Sequence, residues 1–274
     1  ALLNVGLVYG LGWGIAGSAW GTVVAQYAMA SALVAVWFVR LRASGATPRL
    51  HPAGVLAAAA NGVPLIIRTL SLRAILLLTT WVAASLGQVP LAAHQVAFTV
   101  WTMLSFALDA LAIAGQALTG KGLGASDVDG VRAATATMIR WGVIGGAVVG
   151  LLVALSGPLL APLFSADPLV QSAVVAALIV VGVGQPISGY VFVLDGVLIG
   201  AGDARWLAGG MAVVLLGYLP VVVLLRLNAD ALAAQGPVAA TVALWLGFTA
   251  FMLIRAGMLR VRERGDLWLV TGAG

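Results

Sequence analysis

The chain has 274 residues, of which 62% are hydrophobic and 8% charged, with a mean hydropathy of +1.10. Soluble domains are about 45–50% apolar and about a quarter charged, so a soluble enzyme, a nucleic-acid-binding module and a disordered chain are excluded. The net charge of +5 and the pI near 10.4 must be located along the chain before they suggest any partner.

About 20 apolar residues cross a bilayer as a helix, so seven spans take roughly 140 residues and leave the rest for short loops. Taken in order, Leu2–Gly10 reads as the end of a span whose start is missing. Full spans follow at Ile15–Val39, Val55–Leu86, Ala92–Leu118, Val131–Leu155, Leu169–Ile199, Trp206–Leu225 and Val238–Leu259. Pro64 and Pro186 fall inside spans and are expected kink points, because each removes a backbone hydrogen bond. Asp127, Asp129, Asp167 and Asp203 precede spans, where capping and solvation account for them. The glycine clusters Gly10–Gly14 and Gly120–Gly124 are expected to be turns, since neither follows a strand as a nucleotide loop does.

The loops alternate in charge. Arg40, Arg42 and Arg49 follow the first full span, Lys121 and Arg132 the third, and Arg205 the fifth. Arg255, Arg260, Arg262 and Arg264 are assigned to the end of the seventh. The intervening loops Gly87–Leu91, Ser156–Pro168 and Leu227–Pro237 hold no Lys or Arg, with Arg226 bordering the last. Cytoplasmic loops carry the basic excess, so the charge reads as a topology signal with a cytoplasmic C-terminus, and no nucleic-acid partner is implied.

Gly142, Gly146 and Gly150 repeat at four-residue spacing, as do Gly17 with Gly21 and Gly196 with Gly200. In lipid such faces let helix backbones approach; static packing is preferred over a sliding pair. Trp37, Trp81 and Trp206 lie near span ends, as interfacial residues do. His94, beside a short exterior loop, is expected at the interface.

Ionisable groups at bilayer depth are default functional candidates. Counted from the cytoplasmic ends of their spans, Arg68 lies roughly 20 Å deep, Asp109 roughly 15 Å and Asp195 roughly 8 Å. Arg68 and Asp109 are therefore expected to approach each other, with Asp195 nearer the cytoplasm as a helix-end residue and Arg73 nearer the outer face. Gln116 joins Arg68, Asp109 and Asp195 as a coupling or cavity candidate. Asn61, Gln95, Gln185 and Tyr190 are candidates for cavity lining.

Several stretches then carry a resemblance. Leu65-Ile-Ile-Arg68-Thr-Leu-Ser-Leu72 is followed by Leu91-Ala-Ala-His94-Gln95. Next come Ala107-Leu-Asp109-Ala-Leu-Ala-Ile-Ala-Gly-Gln116-Ala-Leu118 and Gly122-Leu-Gly-Ala125. Leu194-Asp195-Gly-Val-Leu-Ile-Gly-Ala-Gly-Asp203 lies downstream. In this order they resemble the multidrug and toxic compound extrusion (MATE) transporters, DinF-like branch, over nearly the whole chain. The resemblance implies twelve helices in two six-helix lobes around a cavity, with antiport driven by protons or sodium. It makes residues 1–40 the end of family helix five and helix six, 41–53 a cytoplasmic linker, 54–260 the C-terminal lobe and 261–274 a cytoplasmic tail. The acidic residue that proton-using members carry in their first helix lies in the missing N-terminal lobe. Sodium-using members carry carboxylates in helices seven and ten; here those places hold Asn61, Arg68 and Gln185-Pro-Ile-Ser-Gly-Tyr190, so proton coupling is preferred.

The expectation is an all-α polytopic protein of the cytoplasmic (inner) membrane: seven transmembrane helices and a partial one, forming the C-terminal lobe of an efflux antiporter. Its partners are amphipathic, often cationic, small molecules, protons, membrane lipid and the N-terminal lobe. No cofactor, metal or catalytic residue is expected: cysteine is absent, and no paired-carboxylate motif stands beside the two histidines. The alternative is a related flippase of lipid-linked oligosaccharides, which needs several cationic residues on the cavity to hold pyrophosphate where the sequence offers Arg68 and Arg73. A membrane transferase lacks its acidic metal cluster, and a pore-forming subunit is the remaining class.

Overall fold

The computed structural model describes residues 5–10, 12–43 and 52–272, and among them all regular structure is helical. A π-helical turn at Gly6–Gly10 precedes α1 (Gly14–Ala43), α2 (Pro52–Ser85), α3 (Gln88–Gly124) and α4 (Val128–Phe164). These are followed by α5 (Pro168–Gly200), α6 (Ala204–Leu227), the short α7 (Ala229–Ala234) and α8 (Pro237–Arg264). All but α7 and the π-helical turn contain a stretch long and apolar enough to cross a membrane.

The chain divides into two compact units, Ala1–Ala57 and Ala58–Gly274. In the first, Gly12 and Gly14 adopt positive φ, which turns the chain into α1 as expected. Gly17 and Gly21 are buried, and a Cβ at Gly17 would stand 2.8 Å from the Leu7 carbonyl oxygen. Residues 2–4 of the expected partial span, and Arg49 of the expected linker, lie outside the described residues.

The second unit is organised around α5, the most buried of the apolar helices, which packs on α3, α4 and α8. The contact with α4 is a seam of small residues. Cβ atoms at Gly142, Gly146 and Gly150 would stand 2.8, 2.5 and 2.2 Å from the carbonyl oxygens of Gly189, Gln185 and Gly182. Such distances admit nothing larger than hydrogen, so backbone meets backbone along three helical turns. Farther along the same face of α5, Gly196 and Gly200 press against Ala112 and Gln116 of α3, with Cβ-to-oxygen distances of 2.1 and 2.4 Å.

Three helix ends differ from the sequence reading. The Gly120–Gly124 cluster is helical, the last turn of α3, and Gly122 within it serves close approach: a Cβ there would meet Val131 at 2.4 Å. Likewise, α4 continues through Pro158 and Pro162 to Phe164, so the expected loop from Ser156 shrinks to residues 165–167. Asp127 and Asp167 cap helices by accepting from the backbone N–H groups of Gly130 and Leu169. Asp203 makes no such cap and instead pairs with Arg262 at 2.6 Å.

Within this unit the charge is polarised as read. Lys121, Arg132, Arg205, Arg260, Arg262 and Arg264 gather at one end, while residues 86–87, 165–167 and 228–236 at the other hold no Lys or Arg. His94 is not interfacial. It is 1% exposed, hydrogen-bonded to Thr80 at 3.2 Å and packed against Trp245 and Phe98. It belongs to an aromatic core with Trp101, Phe248 and Phe251.

Candidate functional site

Arg68 of α2 donates a 2.7 Å hydrogen bond to Asp195 Oδ2 of α5. The two residues therefore stand at the same level, although counts from the ends of their helices place Arg68 the deeper.

A second cation completes the group. Arg255 of α8 pairs with the same Oδ2 and is 3% exposed, its guanidinium also lying 5.9 Å from the Phe192 ring centroid. Its assignment to a cytoplasmic loop is thereby corrected. Helix α8 runs on to Arg264, which leaves Arg255 about 13 Å inside the helix end. Asp195 is likewise no helix-end residue but a buried hub, 5% exposed, joining α2, α5 and α8. A buried charge persists only when paired, and here one carboxylate serves two guanidinium groups. Its other oxygen, Oδ1, has no hydrogen-bond partner among the described residues.

The hub forms part of the wall of a cavity of about 470 Å³. Arg68, Asp109, Gln116 and Asp195 all line it, so the four coupling or cavity candidates share one space. Asp109 stands on α3 fifteen residues before its end, about 22 Å, because α3 extends to Gly124. That puts it deeper than the hub, and the ion pair expected between Arg68 and Asp109 is replaced by the one with Asp195. Arg73 is a further member: it is exposed, lines the same cavity and has no ion-pair or hydrogen-bond partner among the described residues. The other walls are mixed. Thr69, Thr102 and Ser105 donate to carbonyls one turn back on their own helices, and Phe98, Trp101 and Phe192 supply aromatic surface.

The remaining lining candidates separate. Gln185 is 1% exposed and its backbone lies in the seam with α4, outside the cavity wall. Tyr190 is half-buried against the core and Gln95 is exposed on α3; neither lines this cavity. The side chain of Asn61 lies outside the described residues. Among the described residues, no cluster of His, Cys, Asp and Glu is arranged to hold a metal.

Reading the sequence missed two intramembrane arginines. Arg255 had a signal: Phe251-Met-Leu-Ile-Arg255-Ala-Gly-Met-Leu259 surrounds it with uncharged residues on both sides. Arg140 sits between Ile139 and Trp141 on α4 and is exposed, away from the cavity.

Apolar helices of spanning length around a charged, partly open cavity define a polytopic integral membrane protein with a polar site at bilayer depth. A family model described as MatE matches residues 64–225, more than half of the chain, and the chain belongs to this family. Protein DETOXIFICATION 45, chloroplastic, of Arabidopsis thaliana is 30% identical over 263 residues, covering 95% of this chain and 45% of that relative. Protein DETOXIFICATION 44, chloroplastic, of the same plant is 27% identical, over 98% of this chain and 50% of its own length. DNA damage-inducible protein F of Escherichia coli (strain K12) is 28% identical, with 98% and 58% covered. The chain thus spans about half the length of the curated relatives it matches.

Proposed function

We propose that this chain supplies one lobe of a cation-coupled antiporter that exports amphipathic organic compounds by alternating access. Residues 54–260 are its C-terminal six-helix lobe, 1–40 the end of the N-terminal lobe, 41–53 the linker and 261–274 a tail. The N-terminal lobe of the complete protein supplies the facing wall of the cavity. The basic turns face the cytoplasm and the protein resides in the inner membrane, following the distribution of Lys and Arg.

The observation that carries this reading is the set of three arginines and two aspartates lining one cavity at bilayer depth in a MatE chain. Ionisable residues there are costly and mark substrate and ion pathways. Protons are preferred over sodium, because Gln185–Tyr190 offers no carboxylate to a sodium ion. Replacing Asp109 by Asn in the complete protein abolishes coupled efflux at unchanged protein level; unchanged efflux removes Asp109 from the coupling role.

Arg255 gives the flippase alternative a third cation on the cavity. Two of the three share the single carboxylate of Asp195, which offsets part of the positive charge a pyrophosphate needs, so export of a smaller amphipathic solute remains the better fit. A lipid-linked oligosaccharide binding in place of amphipathic solutes reverses that order.

A further inference from the structure

We propose that the groove between α2 and α6 holds one anionic glycerophospholipid of the phosphatidylglycerol type, with an acyl chain in the groove and the phosphodiester on Arg226. The site shares no lining residue with the charged cavity, and neither a transported solute nor a coupling ion enters the argument for it.

The groove has a volume of about 440 Å³ and is lined by Leu77, Leu78 and Trp81 of α2 and by Leu215, Leu216 and Leu219 of α6. It exists because the two helices are joined at separate points without close backbone packing between them. On the inner side the buried hydroxyls of Thr79 and Tyr218 share a 2.9 Å hydrogen bond. At the helix ends the Arg226 guanidinium lies 5.9 Å from the Trp81 ring centroid. Between the helices, Leu78 and Leu215 pack on the core as a floor, whereas Leu77 and Leu216 are exposed along the rim. An apolar trough at bilayer depth offers no hydrogen bond to a polar group and suits a hydrocarbon chain.

The second support is charge complementarity at the mouth. Arg226 lies at the end of the unit where residues 86–87, 165–167 and 228–236 hold no Lys or Arg. It is exposed, and among the described residues its guanidinium forms no ion pair or side-chain hydrogen bond, not even with Asp230 in the following helix. Its N–H groups are thus open to an anion, and a guanidinium matches phosphate oxygens in bidentate geometry. One cation suits one phosphodiester, and a headgroup without an ammonium brings no like charge beside it.

The third support is length. Arg226 stands eleven residues beyond Leu215 on α6, about 16.5 Å along the helix. One leaflet contributes half of a hydrocarbon core about 30 Å thick, so a chain reaching the groove floor carries its phosphate to the level of Arg226. Trp81, four residues before the end of α2, stands where interfacial aromatic rings meet headgroups.

The test titrates the complete protein in detergent with phosphatidylglycerol brominated on its acyl chains and follows tryptophan emission, which bromine quenches on contact. Saturable quenching is expected, and Trp81→Phe should remove that component while the other tryptophans remain. Arg226→Gln should weaken phosphatidylglycerol binding about tenfold, since it removes a charged hydrogen bond, and Arg226→Lys should restore part of it. Diacylglycerol with the same brominated chains lacks the phosphate; it should bind about tenfold more weakly and be indifferent to Arg226→Gln. Both side chains are exposed, so the variants are expected to fold, which size-exclusion chromatography checks. Equal affinity for the two lipids, or phosphatidylglycerol binding unchanged by Arg226→Gln, overturns the phosphate site. Absence of any Trp81-dependent quenching also overturns the proposal, and assigns the groove to the rest of the complete chain or to a second copy of it.

Discussion

Helices α4 and α2 pack in the same compact unit but are held by different means. Helix α4 lies against α5 with glycine facing backbone along three turns, close enough that no side chain fits. Among the described residues α2 comes less close to any neighbour, and discrete polar ties hold it. These are Arg68 to Asp195, Thr79 to Tyr218 at 2.9 Å and Thr80 to His94 at 3.2 Å. The first arrangement is a fixed joint, because backbone packing over many atoms has one geometry. The second consists of single polar contacts beside buried apolar side chains such as Ile75, Val82 and Ala83, and of the three ties the one at Arg68 borders the cavity. This unit therefore has its charge on the side of α2 and its glycine seam on the side of α4.

The comparison breaks most severely on the glycine side. Gly146→Leu puts a branched side chain where a Cβ alone would stand 2.5 Å from the Gln185 carbonyl oxygen. It should leave little folded protein in the membrane, measured as monodisperse protein after detergent extraction. Asp195→Ala comes next. It strands a guanidinium that is almost fully buried, and loss of one partner from a buried pair costs about 3–5 kcal/mol, so a marked drop in thermal stability is expected. Arg68→Leu should cost less, because Asp195 keeps Arg255 and the Arg68 side chain is 18% exposed. The smallest effect belongs to Tyr218→Phe, which removes the tie to Thr79; hydrogen bonds between membrane helices average about 0.6 kcal/mol. A ranking in which Tyr218→Phe exceeds Gly146→Leu would invert the contrast between the two helices.

Much of this unit was legible in the chain because lipid imposes a simple rule: apolar residues in runs, charge at the ends. The spans, the basic end and the small-residue contacts of Gly142, Gly146, Gly150, Gly196 and Gly200 follow from it. The site was only partly legible. Arg68, Asp109, Gln116 and Asp195 stood out as polar interruptions, but their pairing depends on depth, and depth depends on where a helix enters the membrane. Helix α3 runs past Leu118 to Gly124, which puts Asp109 deeper than a count from Leu118 gives and away from the level of Arg68 and Asp195. Arg255 was assigned to the basic C-terminal end because Arg260, Arg262 and Arg264 follow it closely, although uncharged neighbours on both sides mark it as intramembrane. Gln185 shows the opposite error. A polar side chain in an apolar span suggested a cavity, whereas its backbone is part of the glycine seam.

The central claim is that the charged cavity lies on the solute path. The chain contains no cysteine, so single cysteines introduced into the complete protein can be probed with a charged, water-soluble methanethiosulfonate reagent. Ser105→Cys, on the cavity wall, should react, and transported solute should slow that reaction. Leu151→Cys, on the exposed apolar face of α4, should not react. Equal inertness at both positions, or labelling of Ser105→Cys that no solute slows, would contradict the assignment of this cavity as the transport site.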